Sequence, residues 1–272
     1  MDKHNAPTKK GGMLVEKEEK LHNIRLELDP KASPGTVALF EKMETGAEMT
    51  AYELATALAE CDKGREMPRA LFAFIVELYK EAIEESNADA MNDLGALYYN
   101  GRGCEQDYKK AVAYYEMAAK LGHRCATENL GYCYYYGRSV PKDYEKAFRY
   151  FSLGAFEGRT ISLYKIGDMY LNGYYVERNP IEAFRIYSRC LEYLPDELAT
   201  EAGGSILLRL GDCYLNGLGT MPDPQTALRA YTLAEERLRK QVLAGEKTYE
   251  TSLQAAIEGK EKAKKKLTPT EE

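Results

Sequence analysis

Apolar residues recur along this chain at helical spacing, and over its middle they fall into a phrase that returns four times. Leu94-Gly95-x-x-Tyr98-x-x-Gly101 comes back as Leu130-Gly131-x-x-Tyr134-x-x-Gly137, as Ile166-Gly167-x-x-Tyr170-x-x-Gly173, and as Leu210-Gly211-x-x-Tyr214-x-x-Gly217. The phrase-opening glycines step by 36, 36 and 44 residues. A period in this range means stacked supersecondary units, each touching its neighbours.

Each unit reads as helix, turn, helix. In the first copy Ala90 to Asn100 forms helix A, with Ala90, Leu94, Leu97 and Tyr98 on one stripe. Gly101-Arg102-Gly103 stops it, because glycine enters the left-handed region without steric cost. Asp107, and its counterparts Asp143, Asn179 and Asp223, cap helix B, and Pro180 and Pro224 follow two of those caps at the first helical position. Helix B has its own phrase: Ala111, Ala147, Ala183 and Ala227, then Tyr115, Phe151, Tyr187 and Tyr231, then Ala118, Gly154, Cys190 and Ala234. Glycine inside helix A is unfavourable by about 1 kcal/mol relative to alanine. Its recurrence there predicts a close approach by helix B that leaves no room for a Cβ.

The flanks are less regular. Residues 1 to about 20 are polar and predict a disordered segment, within a loosely ordered stretch reaching residue 33. Ile24 to Leu28 alternates like a short strand. Residues 34–87 read as degenerate helical repeats, with helices over Pro34 to Glu44, Thr50 to Cys61 and Pro68 to Glu85. The longer third step, around Leu194-Pro195-Asp196-Glu197, predicts a longer loop or a helix extension. Helix B of the fourth copy runs to about Leu243. A capping helix follows at about 246–265, with Tyr249, Leu253 and Ile257 as its apolar stripe, and a short tail ends the chain. The division is therefore 1–33, 34–87, four repeats over 88–238 (about 88–123, 124–159, 160–203 and 204–238), 239–265 and 266–272.

Composition narrows the function classes. The chain has 272 residues, 44% hydrophobic, and a net charge of −6, which argues against a general nucleic-acid binder. The start has no apolar stretch to serve as a signal peptide, and Ala70 to Val76 is too short for a membrane span, so a cytoplasmic protein is expected. The lysines at 260, 262, 264, 265 and 266 solvate the chain end and complement a helix dipole; attraction to RNA or anionic lipid is the other reading. Cys133 and Cys213 share a repeat position with Leu97, Met169 and, two steps back, Cys61, and Cys190 falls where the first copy has Ala118. Sites that accept such residues are packing sites. With no Cys-x-x-Cys, free thiols are expected and neither disulfides nor zinc.

Catalytic signals are weak. His4, His22 and His123 share no metal or nucleophile spacing, and no H-E-x-x-H, G-x-S-x-G, phosphate-loop or EF-hand pattern occurs. No metal, no cofactor and no enzyme activity are expected.

The combined pattern A-x-x-x-L-G-x-x-Y-x-x-G-x-G, then D-x-x-K-A-x-x-Y-Y-x-x-A-A-x-x-G, resembles the Sel1-like repeat, a relative of the tetratricopeptide repeat. Ala90, Leu94, Gly95, Tyr98, Gly101, Gly103, Asp107, Lys110, Ala111, Tyr114, Tyr115, Ala118, Ala119 and Gly122 carry it in the first copy. Departures are Ser139 and Tyr175 in place of the second turn glycine, and Cys190-Leu191 in place of the small pair. The resemblance implies an all-α, right-handed α-α superhelix, or solenoid, with helix A lining a concave surface that binds a protein or peptide segment. The helix-A positions outside the phrase are then the candidate contacts: Asn92, Ala96 and Tyr99; Glu128, Tyr132 and Tyr135; Tyr164, Asp168 and Leu171; Leu208, Asp212 and Leu215. Their tyrosines and acids suggest an aromatic, acidic recognition face. The alternative is a hydrolase like the secreted, cysteine-rich branch of the family, linked to penicillin binding and β-lactam hydrolysis. This chain lacks that branch's regular cysteine spacing, and no signal peptide is expected. No nucleic-acid or membrane partner is implied.

Overall fold

A computed structural model describes residues 22–23, 34–44, 49–61, 67–192 and 201–268. The chain divides into two compact units, residues 1–123 and 124–272. Both are all-α, built as stacked helix pairs of the repeat-solenoid kind, and no strand occurs among the described residues. The first unit holds α1 (Pro34–Glu44), α2 (Ala51–Cys61), α3 (Arg69–Glu84), α4 (Ala88–Asn100) and α5 (Tyr108–Lys120). The second holds α6 (Arg124–Tyr136), α7 (Tyr144–Phe156), α8 (Thr160–Asn172), α9 (Pro180–Glu192), α10 (Glu201–Asn216), α11 (Pro224–Leu243) and α12 (Glu250–Leu267). The expected N-terminal disorder, the strand at Ile24 to Leu28 and the segment around Leu194 to Glu197 lie outside the described residues.

The repeated phrase acts through packing. A Cβ on Gly95, Gly131, Gly167 or Gly211 would meet the ring of Tyr115, Phe151, Tyr187 or Tyr231 at 2.8, 2.7, 2.6 or 2.7 Å. Real Cβ atoms do not come so close, so the ring of helix B sets the glycine of helix A. Those rings are almost fully buried.

The turn is closed by main-chain atoms. In the four copies the carbonyl of the repeated tyrosine accepts the N–H of the cap that opens helix B: Asp107 to Tyr98 (2.9 Å), Asp143 to Tyr134 (3.0 Å), Asn179 to Tyr170 (2.8 Å) and Asp223 to Tyr214 (2.7 Å). The cap side chains then accept the N–H three residues on, at 2.9 to 3.0 Å. Gly101 and Gly173 end α4 and α8 in the left-handed region, as the sequence predicts. Ser139 and Tyr175 hold φ of 60° and 66°, a conformation unfavourable by about 1 kcal/mol or more for a residue with a Cβ. Tyr175 there sets its ring 5.7 Å from that of Phe148.

The degenerate end is helical as expected, and Thr50 caps α2 reciprocally with Glu53: the Glu53 N–H donates to Thr50 Oγ1 (3.2 Å) and the Thr50 N–H to Glu53 Oε2 (2.8 Å). The last helix differs from expectation. It starts at Glu250, after a 3₁₀ turn over Lys247–Tyr249, and its buried residues are Ala256, Gly259 and Ala263. Tyr249 and Leu253 are partly buried at its edge. Gly259 is small because a Cβ there would run into the Tyr231 ring of α11.

Cys133, Cys190 and Cys213 are buried in packing positions, and no disulfide joins the six cysteines. Burial pushes each of these three thiols up to about 12. In native protein at pH 8 a thiol reagent is expected to leave these three unlabelled and to reach all six after denaturation. Prompt native labelling of all six would contradict this packing.

Candidate functional site

The candidate residues divide between the units. Asn92 and Tyr99 belong to the first, both half-buried on α4. Asn92 donates to Asp93 Oδ1 (3.1 Å) and Tyr99 packs edge-on against Tyr108 (5.0 Å between centroids). Asp93 also accepts from the Tyr52 hydroxyl, and burial raises its pKa.

In the second unit α6, α8 and α10 bring most of the others together. Asp168 is at the centre. It is buried, with Arg209 of α10 gripping both carboxylate oxygens (Nη2 to Oδ2 at 2.9 Å, Nε to Oδ1). The Tyr187 hydroxyl donates to Oδ1 at 2.8 Å, and Lys165 Nζ approaches Oδ2 at 3.4 Å. Burial would raise this carboxyl's pKa, but the charge and hydrogen bonds of Arg209 outweigh it and hold it below the usual range.

Lys165 is 5% exposed and sits in a ring of tyrosines. Its Nζ is 5.4 Å from the centroids of Tyr132 and Tyr135, 5.7 Å from Tyr136 and 5.1 Å from Tyr164. It also donates to the Tyr136 hydroxyl at 3.3 Å. Burial pulls its pKa down, and Tyr164 and Asp168 more than offset it, so the ammonium stays charged. The ring faces add cation–π attraction where water is excluded. The hydroxyls of Tyr132 and Tyr164 meet at 3.4 Å, joining α6 to α8 directly.

Glu128 plays a supporting part below this. It is buried and accepts two bonds from Arg159 (2.8 and 3.1 Å) and one from Ser162 (2.7 Å). Asp212 is half-buried and accepts from Tyr231 at 2.6 Å; burial raises its pKa. Tyr164, Leu208 and Leu215 are buried, Leu171 half-buried. Of the expected recognition face, Glu128 and Asp168 are buried and ion-paired, Tyr164 is buried, and Tyr132 and Tyr135 are half-buried. Tyr136, 46% exposed, is the most open of these rings.

Sequence reasoning missed Lys165, Arg209, Arg159 and Tyr136. A register signal was present for two of them. Asp93, Asn129, Lys165 and Arg209 occupy one repeat position, directly before the Leu/Ile-Gly pair, and a polar residue recurs there in otherwise apolar helices. Among the described residues no group of three or more His, Cys, Asp or Glu side chains is arranged to hold a metal ion, and no helix is long and apolar enough to cross a membrane.

Comparison with known proteins agrees with this geometry. The model of one family, the Sel1 repeat, matches residues 88–123, 126–155, 160–189 and 207–236. The crystal structure of a Sel1 repeat protein from Oxalobacter formigenes is similar over 81% of this chain and 95% of that one, at 22% identity and a TM-score of 0.55. So is c5321, a protective antigen of uropathogenic Escherichia coli with an SLR fold, over 84% of this chain and 56% of that one, at 21% identity and a TM-score of 0.50. At such identities the likeness speaks for the fold alone. No curated protein matches the chain significantly.

Proposed function

We propose, from the premise that the chain belongs to the Sel1-repeat proteins, that it is a non-enzymatic scaffold binding a protein or peptide segment on the helix-A face of its second unit. Proteins of this repeat class generally mediate protein–protein interaction. The observation that carries the finer reading is the row Tyr136, Tyr135, Tyr132, Lys165, Asp168 and Arg209 across α6, α8 and α10. Its side chains are already held by one another, so a partner would meet rings whose ordering entropy is lost before binding. Tyrosine supplies a wide contact with a polar tip, the chemistry enriched at interaction hot spots.

In this reading Tyr132 and Tyr135 keep the contact role expected of them and Tyr136 joins them. Glu128, Tyr164, Asp168, Leu208 and Leu215 act from beneath, by fixing the position of what is above. Leu171 and Asp212 stand at the margin, and Asn92 and Tyr99 would serve the first unit. A scaffold rather than a catalyst is supported by the state of the central carboxylate: Asp168 is gripped by Arg209, which holds its pKa below the usual range and leaves it unsuited to take a proton. A reducing compartment such as the cytoplasm suits cysteines that fill packing positions.

The test is a Tyr135→Ala/Tyr136→Ala variant of the full chain. Affinity capture from the native cell is expected to lose the proteins that the parent retains, while the variant's helical circular dichroism is preserved. Retention of every one of those proteins would remove this face from consideration.

A further inference from the structure

Copies two and three carry two large apolar residues that the repeat does not call for. Phe156 ends α7, 93% exposed, at a position where the other copies have Lys120, Glu192 and Glu236. Tyr175 is 54% exposed where the other copies have Gly103, Ser139 and Gly219, and its φ of 66° is unfavourable by about 1 kcal/mol or more. Neither is needed to fill the core, and strain kept on such a residue points to a use outside the fold. Tyr175 forms one wall of a cleft of about 490 Å³, with Phe148, Arg149, Ser152 and Leu153 as the rest. The cleft and Phe156 share one face of α7, because 149, 152, 153 and 156 follow helical spacing. An exposed ring and an open hole that admits it thus lie about one turn apart on a single helix.

We propose that this face of α7 pairs with itself in a second copy of the chain, antiparallel about a two-fold axis, each Phe156 entering the other's cleft. Such an isologous contact uses one patch twice and closes on itself. Its register follows from the spacing. Leu153 lies at the axis and meets its own counterpart, and Arg149 comes opposite Glu157 of the second copy, twice over. Both have capacity for this: Arg149 gives Glu145 one exposed bond, and Arg124 comes within only 4.0 Å of Glu157. The exposed charges of this face, Glu145, Lys146, Arg149 and Glu157, are two of each sign. Charges farther off are screened over a Debye length of about 8 Å, so the net −6 of each chain does not oppose the pairing. Two Phe156 and two Leu153 side chains against the cleft walls bury on the order of 1,000 Å². Stable complexes bury about 1,200 Å² or more, so this dimer forms and separates with protein concentration.

Sedimentation velocity of the full chain, from about 1 to 500 μM, is expected to show monomer passing to dimer. Phe156→Asp and Tyr175→Gly should each weaken the dimer by about tenfold or more. Their helical circular dichroism should match the parent's, and Tyr175→Gly should melt no lower, since glycine relieves the turn. Arg149→Glu and Glu157→Arg should each weaken the dimer as single variants. An equimolar mixture of those two should recover it, because the mixed pair regains both opposite-charge contacts. Only a second copy of this chain gives that recovery. A parent that stays monomeric across the range, a dimer that survives Phe156→Asp, or a mixture no better than its components would each overturn the proposal. A monomeric parent that captures a cellular protein through Phe156 would give the cleft to that partner and equally overturn self-pairing. The tyrosine row of α6 plays no part in these readouts, so the scaffold reading stands or falls separately.

Discussion

Replacing Asp168 with alanine is expected to destabilise the second unit by about 3 to 5 kcal/mol, the cost of breaking a buried ion pair from one side. The carboxylate is the shared counter-charge of Arg209 and Lys165, and it also accepts the Tyr187 hydroxyl. Without it two cations and a phenol lose their shared acceptor in a largely buried site, leaving Lys165 with the Tyr136 hydroxyl and Arg209 with the Ser205 carbonyl. For a body of this size the melting temperature should fall by about 6 °C or more. Removing all the charges together is a different experiment. Asp168→Leu with Arg209→Met and Lys165→Met leaves no orphaned charge, and it should recover more than half of the loss. A single Asp168→Ala variant that melts with the parent would mean that water reaches the network.

The sign of the pH dependence follows from the same contacts. Arg209 holds the Asp168 carboxyl below the usual carboxylate range, so the unfolded chain binds this proton more readily than the folded one. The stability it contributes is full above the unfolded value of about 3.9 and drains away as pH falls through that value toward the folded one. The parent and Asp168→Ala should therefore differ most at neutral pH and converge in acid, read as paired melting curves.

Gly259→Val is the second large effect. A Cβ at 259 would fall inside the contact distance of three atoms of the Tyr231 ring. That ring cannot retreat. It also lies against Gly211, where a Cβ would be 2.7 Å away, and its hydroxyl is tied to Asp212. Overpacking of this kind is unfavourable by about 1 to 3 kcal/mol when the structure can adjust, and more when it cannot. The available relief is for α12 to lift off, exposing Leu238, Ala256 and Ala263. Limited proteolysis is expected to cut the variant between 244 and 267 while the repeats through 236 persist. A variant as resistant as the parent would show that α12 tolerates displacement.

The helices were legible because their signals are local. Apolar spacing, a left-handed glycine and a capping aspartate lie within one unit and recur in the next, so Pro34–Glu44 and Pro224–Leu243 emerge at the bounds that the sequence suggests. The glycines of the phrase were legible for a second reason: a repeated unfavourable residue implies a repeated neighbour. The face was harder to read. Glu128 and Asp168 look like surface acids in the sequence, and their burial depends on Arg159 and Arg209, 31 and 41 residues away. Charge pairing between repeats leaves only a weak periodic trace, a recurring polar position whose charge changes from copy to copy. The small residue at Gly259 of α12 was hidden likewise, since it acquires meaning only opposite the Tyr231 ring.

The hydrogen bond from each helix-B cap N–H to the carbonyl of the repeated tyrosine has a consequence for how such a chain changes over generations. Its joints are made by backbone atoms that nearly every residue possesses, so duplicating a unit copies a working joint with it. Selection is then free to act on single letters between the joints. Asp93, Asn129, Lys165 and Arg209 show one such letter in three charge states along a single chain. Specificity in an array built this way can drift copy by copy while the architecture is inherited intact.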